Sequence, residues 1–438
     1  MDFIAELEWR GMLHQLTPGI REHLREASRR GYIGFDPTAP SLTIGNYVQV
    51  MLLIHWMRAG HEAVVLFGGA TGRIGDPSFK AAERDLKTYE ELDGNLDHQR
   101  EQMQRLFALA GEQLGTDELA GSVTVVNNLE FYREMNVLDF LRVVGKTLTV
   151  SYMMSKDSVQ TRLETGLSFT EFSYQLLQGY DFQKLCAERG VTVQMGGSDQ
   201  WGNITSGTEF VRRNLEEKAY AATTPLLTKA AGSKFGKSAE GNIWLDADLT
   251  SPYDFYQFWL RADDADLSKY LKYFSLRDKE AILADCATVD AHLGGEDRYR
   301  EVTAIKTGLA AELTARIHGA EGLQTAERVT NLLWGRGATP EDLRALDAKA
   351  FRALSGNIPT FSIGREMLPV SLIDLLSDHS EVTGSKSEAK RAVQGNAIAL
   401  NKEKVTDTEA QVGTEALIHD RFLMVENGKK KRYLFVVG

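Results

Sequence analysis

Between residues 31 and 76 the hydrophobic pattern changes period repeatedly. A short β-rich run (GYIGF) ends in a polar loop (DPTAPSLT), an apolar helical stretch (IGNYVQVMLLIHWMRAG) closes at Gly60, and a second strand-like run (EAVVLFGG) follows. That order predicts one βαβ unit, the building block of a doubly wound parallel sheet. SVTVV at 122–126 and VTVQM at 191–195 predict further strands, and helical periodicity fills the space between, notably at 96–110 and 169–185. The expected fold class is α/β, with a Rossmann-like doubly wound sheet over residues 1–220.

After about residue 220 the pattern changes. A Gly/Lys-rich loop at 230–242 leads into mostly helical sequence to about 335, so 221–335 is expected to be a helical domain or extension. The stretch 336–368 has turn formers and little periodicity and reads as a linker. Residues 369–438 then form a small separate α+β module.

Composition fits this plan. With 438 residues, 43% of them hydrophobic and nine prolines, the chain has enough apolar surface for two or three cores. Cys186 and Cys286 have neither disulfide-framework nor zinc-site spacing, as expected in a reducing compartment such as the cytoplasm. The N-terminal MDFIAELEWRGMLHQL mixes acidic and apolar residues, so it reads as an amphipathic helix rather than a secretory signal. No apolar run approaches the roughly 18 residues that span a bilayer, and no membrane partner is expected. A net charge of −11 excludes nucleic-acid binding over the whole surface, so any RNA contact must be local.

Five blocks carry candidate chemistry. The first βα turn, from Gly34 through Asp36, Thr38 and Thr43 to Gly45 and Asn46, puts small and hydroxyl-bearing residues at a helix start. Such a start favours an anion, although turns use the same residues for conformation alone. The second turn, GGATGRIGDPS at 68–78, has the glycine density of a backbone approached by a ligand or of a tight crossover. In it Asp76 fits either a partner for a cation or an Asx-turn before proline. On the predicted helix TEFSYQLLQGYDF, Tyr174, Gln178 and Asp181 share one face, which is either solvated or lines a polar pocket. The block Met195–Asn203 follows a strand and opens a helix; Gly197 and Asp199 fit a nucleotide's ribose, while an N-cap explains the same types. Lys234-Phe235-Gly236-Lys237-Ser238 puts two lysines on a mobile-looking loop, suited to polyphosphate charge or to solvent.

In this order the motifs GFDPTA, GGATGRIGDPS, SFTEFSYQLLQGYDF, GGSDQWGNITSG, KFGKS and TSPYDFYQFW resemble the bacterial-type tyrosyl-tRNA synthetases, which are class I aminoacyl-tRNA synthetases. The resemblance runs essentially from Met1 to Gly438. It implies a tyrosine–tRNA ligase that makes tyrosyl-adenylate from tyrosine and ATP and then charges tRNA. It implies that the tyrosine ammonium lies between Asp76, Tyr174 and Gln178 with Gln200 close by, and that Tyr32 and Asp181 hold the phenol. Such a pocket rejects phenylalanine, which would leave buried polar groups unpaired.

The resemblance also implies ATP over Gly34, Asp36 and Gly45, with its ribose near Gly197 and Asp199. Thr38 and the signature residues then act on the phosphates from one side, and Lys80, Arg84, Lys234 and Lys237 from the other. No carboxylate cluster suggests a protein metal site, so Mg²⁺ is expected to arrive with ATP. The class signature His-Ile-Gly-His reads Thr43-Ile44-Gly45-Asn46 here; Thr43 and Asn46 retain a hydroxyl and an amide donor in place of the imidazoles. This departure is the sole support for a rival reading, a weakened paralogue that binds tyrosine or RNA.

The C-terminal module resembles a small ribosomal-protein-like RNA-binding domain, with Lys386, Lys390, Arg391, Lys429, Lys430, Lys431 and Arg432 as its local positive charge. Family resemblance further implies a homodimer formed through an insertion at about 110–190, and places 247–335 near the anticodon.

Overall fold

The computed structural model describes all residues except 77, 79–86, 117, 118, 120, 121, 164, 165, 239, 240, 296–298, 336, 337, 429 and 430, and the side chains of 158, 163, 237 and 238. Two compact units result, Met1–Leu249 with Trp259–Ile317, and Thr250–Phe258 with His318–Gly438.

The first unit is built on a six-stranded sheet. In chain order its strands are β1 (Gln15–Leu16), β2 (Arg30–Phe35), β3 (Glu62–Phe67), β4 (Val123–Asn127), β5 (Val191–Gly197) and β6 (Tyr220–Thr224), and in space they run β1-β6-β5-β2-β3-β4. Every neighbouring pair is parallel except β1 with β6. From β2 the chain steps outward to β3 and β4, then returns to the other side of β2 for β5 and β6. The topological switch point therefore lies between β2 and β5, and ligands of open α/β sheets bind outside the carboxyl ends of the strands at such a point.

The predicted βαβ unit is present. Its helix, Ile44–Arg58, buries residues on nearly every side, from Ile44 to Trp56 and Met57, as a helix this apolar must. Trp56 fixes the return strand by donating its indole N–H to the Glu62 carbonyl at 2.8 Å. Helix Tyr89–Leu114 begins at Thr88, whose hydroxyl accepts the Glu91 N–H, and stops at left-handed Gly115. Helix Phe169–Arg189 begins at the Ser168 cap and ends at left-handed Gly190. Its inner face joins Tyr32, Val64, Leu66, Val126 and Phe210 in one core.

Strand β6 carried no sequence signal. Tyr220-Ala-Ala-Thr-Thr224 is buried throughout, so it lacks the alternation that marks a half-exposed strand.

The second unit has a five-stranded sheet in the order Glu403–Lys404, Ile398–Leu400, Phe422–Asn427, Lys431–Val437 and Thr360–Ile363, the last pair being parallel. Strand Phe422–Asn427 shows the two-residue period. Leu423 and Val425 join a core with Leu372, Leu376 and Val393, whereas Phe422 and Met424 join Leu332, Phe351 and Leu354 on the other face. Phe351 stacks on Phe422 with centroids 4.5 Å apart.

The stretch 336–368 differs from the expected linker. It carries helices Pro340–Arg344 and Ala348–Ser355 and strand Thr360–Ile363, and Phe351 and Leu354 are fully buried. Helices of five and eight residues contain too few turns for a clear hydrophobic period. Among the described residues no helix is long and apolar enough to cross a membrane.

Candidate active site

A cavity of about 490 Å³ lies at the switch point. Its walls include Tyr32, Gly34 and Asp36 of β2 and its turn; Thr38, Thr43, Gly45 and Asn46 of the loop and helix start; and Asp76 of the second turn. Tyr174, Gln178 and Asp181 come from helix Phe169–Arg189, and Gly197, Asp199 and Gln200 from the end of β5. The shared face of that helix is thus a pocket wall rather than a solvated stripe.

At one end Tyr32 is fully buried and its hydroxyl has no hydrogen-bond partner in the protein. Burial, and then the charge of Asp181, push its ionisation well above the ordinary phenol range. Asp181 is 1% exposed; its carboxylate accepts from Asn128 Nδ2 at 2.9 Å and from the Tyr132 hydroxyl at 2.7 Å. Burial raises its pKa to about 7, against the opposing pull of those two bonds. Asn128 also donates to Thr71 Oγ1 at 3.0 Å, and Thr71 donates to Asp36 Oδ1 at 2.7 Å. A hydrogen-bonded chain therefore joins Asp181 to Asp36. Sequence reasoning missed Thr71, Asn128 and Tyr132; the polar pair Asn127-Asn128 at the end of a predicted strand was the available signal.

Asp76 makes the Asx-turn and also lines the cavity. Its Oδ1 accepts the Ser78 N–H at 3.0 Å in an Asx-turn, while Oδ2 faces the cavity and accepts from Gln200 Nε2 at 2.6 Å. Asn203, also missed, braces this corner through Ser78 Oγ at 3.2 Å. Tyr174 donates to Asp36 Oδ2 at 2.9 Å, so the phenol expected beside Asp76 is bonded to the residue expected under ATP. Burial first, then the charges of Asp36 and Asp76, keep Tyr174 protonated.

The signature residues bond to each other. Thr43 caps helix Ile44–Arg58 in a capping box: Asn46 Oδ1 accepts the Thr43 N–H at 3.0 Å, and Thr43 Oγ1 accepts the Asn46 N–H at 3.3 Å. Neither the 3-10 turn Ser198–Gln200 nor helix Trp201–Leu215 has a side-chain cap, so Asp199 is not there as a helix cap. Much of the glycine density of the second turn serves the protein itself: a Cβ on Gly68 would collide with Asp36 and Thr71.

The lysine loop is a hairpin held at both ends of its base. Lys237–Ser238 pairs with Gly241–Asn242, the Ile44 N–H donates to the Ile243 carbonyl at 2.9 Å, and Leu245 N–H donates to Leu42. Gly236 has φ +82° and lies so close to Ile44 that a Cβ would sit 2.7 Å from its Cγ2. Phe235 is buried against Tyr270, Phe274 and Trp259 at 5.2 to 6.0 Å. The segment that looked mobile in sequence is therefore strapped to the signature at this base. Lys234 is exposed and is not part of the cavity wall. The Lys237 side chain, Lys80 and Arg84 lie outside the described residues.

Five cavity residues, Tyr32, Gln49, Gln99, Gln178 and Gln194, each bury a side-chain oxygen with no partner in the protein. Buried polar atoms are normally bonded, so five of them converging on one cavity mark a polar ligand site. Among the described residues no group of three or more His, Cys, Asp or Glu is arranged for a metal.

In the second unit Lys390 and Arg391 are exposed on helix Lys386–Gln394, whose other face buries Ala389 and Val393. Lys386 is ion-paired with Asp374 at 2.7 Å and Asp378 at 2.8 Å. Lys431 is exposed, Arg432 bonds Glu426 at 3.2 Å, and Lys429 and Lys430 lie outside the described residues.

A family model described as tRNA synthetases class I (W and Y) matches residues 25–335, and one described as the tyrosine–tRNA ligase SYY-like C-terminal domain matches 351–436. The tyrosine–tRNA ligase of Cytophaga hutchinsonii is 47% identical over 437 residues, covering 99% of each chain. That of Porphyromonas gingivalis is 44% identical over 443 residues, covering all of both. Among solved structures, a C-terminally truncated mitochondrial tyrosyl-tRNA synthetase of Aspergillus nidulans superposes with TM-score 0.66 at 30% identity, covering 76% of this chain and 94% of that one. On these likenesses the chain belongs to the bacterial-type tyrosyl-tRNA synthetases, the tyrosine–tRNA ligases of class I.

Proposed function

We propose that this chain activates L-tyrosine in the switch-point cavity and transfers it to tRNA, with the phenol held between Tyr32 and Asp181. The unpartnered Tyr32 hydroxyl, buried beside Asp181, is the observation that carries this reading. A phenol supplies the missing partner, whereas phenylalanine leaves the buried Tyr32 hydroxyl unpaired at about 1–3 kcal/mol. Asp76, Gln178 and Gln200 take the ammonium, and Tyr174 contributes through its bond to Asp36.

ATP lies over Gly34, Asp36 and Gly45, with its ribose at Gly197 and Asp199. The tyrosine carboxylate attacks the α-phosphorus and pyrophosphate leaves, so negative charge grows on the phosphoryl oxygens. Thr38 and the Asn46 amide donate to those oxygens, Thr43 does so once its hydroxyl turns away from Asn46 Oδ1 at 2.7 Å, and Lys234, Lys237, Lys80 and Arg84 supply the opposing positive charge. Mg²⁺ enters bound to the ATP phosphates as part of that substrate.

Lys390, Arg391, Lys431 and Arg432, with Lys429 and Lys430, supply an RNA-binding face, and Lys386 adds to it only by leaving its two carboxylates. The chain works as a cytoplasmic homodimer joined through the 110–190 insertion. That segment exposes Val137, Leu138, Leu141, Val150 and Phe169 by 50 to 75%, apolar side chains that a partner subunit would cover.

Tyrosine-dependent ATP–pyrophosphate exchange by the purified chain, run against phenylalanine and tryptophan, tests the reading. Exchange with tyrosine alone is expected. No exchange with any of the three returns the weakened-paralogue reading, and exchange with tryptophan moves the phenol assignment elsewhere.

A further inference from the structure

Helix Tyr89–Leu114 presents an amide stripe that neither the tyrosine pocket nor the signature explains. Asn95, Gln99 and Gln102 are spaced by four and three residues, so they share one face. All three reach into the loop 37–42, which contains Pro37 and Pro40 and so lacks two backbone donors. Asn95 Nδ2 donates to the Pro37 carbonyl at 3.1 Å, and Gln99 Nε2 donates to the Ala39 carbonyl at 2.7 Å. Gln102 Oε1 accepts the Leu42 N–H at 2.9 Å while its Nε2 donates to Ser41 Oγ at 3.0 Å.

We propose that Asn95, Gln99 and Gln102 are positioning residues that hold the loop carrying Thr38 in the shape that receives the ATP phosphates. The proposal rests on the reading of residues 34–46 as the nucleotide turn. Three loop residues, Pro37, Ala39 and Leu42, direct polar backbone groups at these amides instead of at one another. The loop thus takes its shape from the helix, because a buried carbonyl left unpaired is costly. Gln99 is 2% exposed and does more than bind the loop: its Oε1, without a partner in the protein, belongs to the cavity wall. Asn95 is 8% exposed and stands behind the loop, outside that wall. An effect of Asn95 on ATP must therefore pass through the loop.

The test is steady-state exchange with the full chain, varying ATP and tyrosine separately, on Asn95→Leu, Gln99→Met, Gln102→Glu and Thr38→Ala, with thermal melting alongside. Asn95→Leu and Gln99→Met are expected to raise the KM for ATP about tenfold while that for tyrosine stays within about twofold. Gln102→Glu loses the donor to Ser41 Oγ while its carboxylate still accepts the Leu42 N–H, so a smaller rise in the KM for ATP is expected. Equal rises in both KM values, or an unchanged KM for ATP in Asn95→Leu, would overturn the clamp. If Thr38→Ala weakens ATP use and Asn95→Leu does not, the nucleotide reading stands and the clamp falls; if Thr38→Ala is also silent, both fall. Should Asn95→Leu not fold, Asn95→Asp replaces the donor to Pro37 with an acceptor at equal size, and the same two outcomes decide.

Discussion

The Tyr132 hydroxyl lies 2.7 Å from Asp181 Oδ1 and 2.9 Å from the Leu177 carbonyl, two acceptors for one hydrogen. Both contacts are hydrogen bonds at once only when Asp181 carries a proton and donates it to Tyr132. When Asp181 is ionised, Tyr132 must turn its hydrogen to the carboxylate. Tyr132→Phe removes a bond that favours the ionised form, so it should raise the Asp181 pKa further. A bond to a charged group is worth about 1.5–3 kcal/mol, so a rise of roughly ten- to a hundredfold in the KM for tyrosine is expected, with kcat little changed. An unaltered KM in the exchange assay would show that Tyr132 does not orient Asp181.

Tyrosine binding should tighten as pH rises through about 7, where Asp181 ionises and becomes a charge-assisted acceptor for the substrate phenol. For folding the sign is opposite. The unfolded chain releases this proton near the ordinary value of 3.8 and the folded chain near 7, so the folded state binds more protons in between and loses stability as pH rises across that window. Fluorescence titration of tyrosine at pH 6 to 8, on the parent and on Asp181→Asn, separates this group from the others; the parent's inflection should vanish in the variant.

Asn46→Asp keeps the capping box, because a carboxylate at the third helical position still accepts the Thr43 N–H and suits the helix dipole. It removes the amide donor and sets a negative charge where phosphate charge grows. Melting temperature should hold or rise slightly while adenylate formation falls by about a hundredfold or more. Parallel losses of stability and rate would mean that Asn46 acts only as a cap.

Gly236→Ala should damage the strap. The backbone there has φ +82°, and the new methyl would press on Ile44. Strain of about 1–3 kcal/mol falls on the segment that pairs with the signature, so the exchange rate should drop at least tenfold with tyrosine affinity kept. Equilibrium tyrosine binding and exchange measured on one preparation decide this.

Charge reversal at Lys390 and Arg391 should raise the KM for tRNA and flatten its salt dependence by about one unit of slope per contact, leaving exchange unchanged. Aminoacylation across a salt series is the measurement. A truncation at residue 369 is a poor substitute: strand Thr360–Ile363 pairs with Lys431–Val437, and the cut would remove the other four strands of that five-stranded sheet.

Strands β2 to β5 and helices Ile44–Arg58, Tyr89–Leu114 and Phe169–Arg189 were legible because apolar runs and capping residues mark them locally. Strand β6 was not, being buried throughout and built on alanine. Around the cavity, Asp76, Tyr174 and Asp181 could be named because they stand in long motifs and Tyr32 because it lies just before one, yet Asn128 and Tyr132 could not. They lie in and just after the 3-10 turn Asn128–Phe131 that follows β4, and their role comes only from meeting a carboxylate some fifty positions onward, at 53 for Asn128 and 49 for Tyr132. The bond between Thr43 and Asn46 is local, but its capping geometry competes with the catalytic pattern for the same atoms.

The pairing of Leu42 and Ile44 with Ile243 and Leu245 joins stretches of backbone about two hundred residues apart. Closing so long a loop is entropically slow to repay, so it belongs late in assembly. A chain still emerging from the ribosome therefore completes strands β2 to β5, which carry Tyr32, Gly34 and Gly197 of the cavity wall, before the segment that straps the signature has been made.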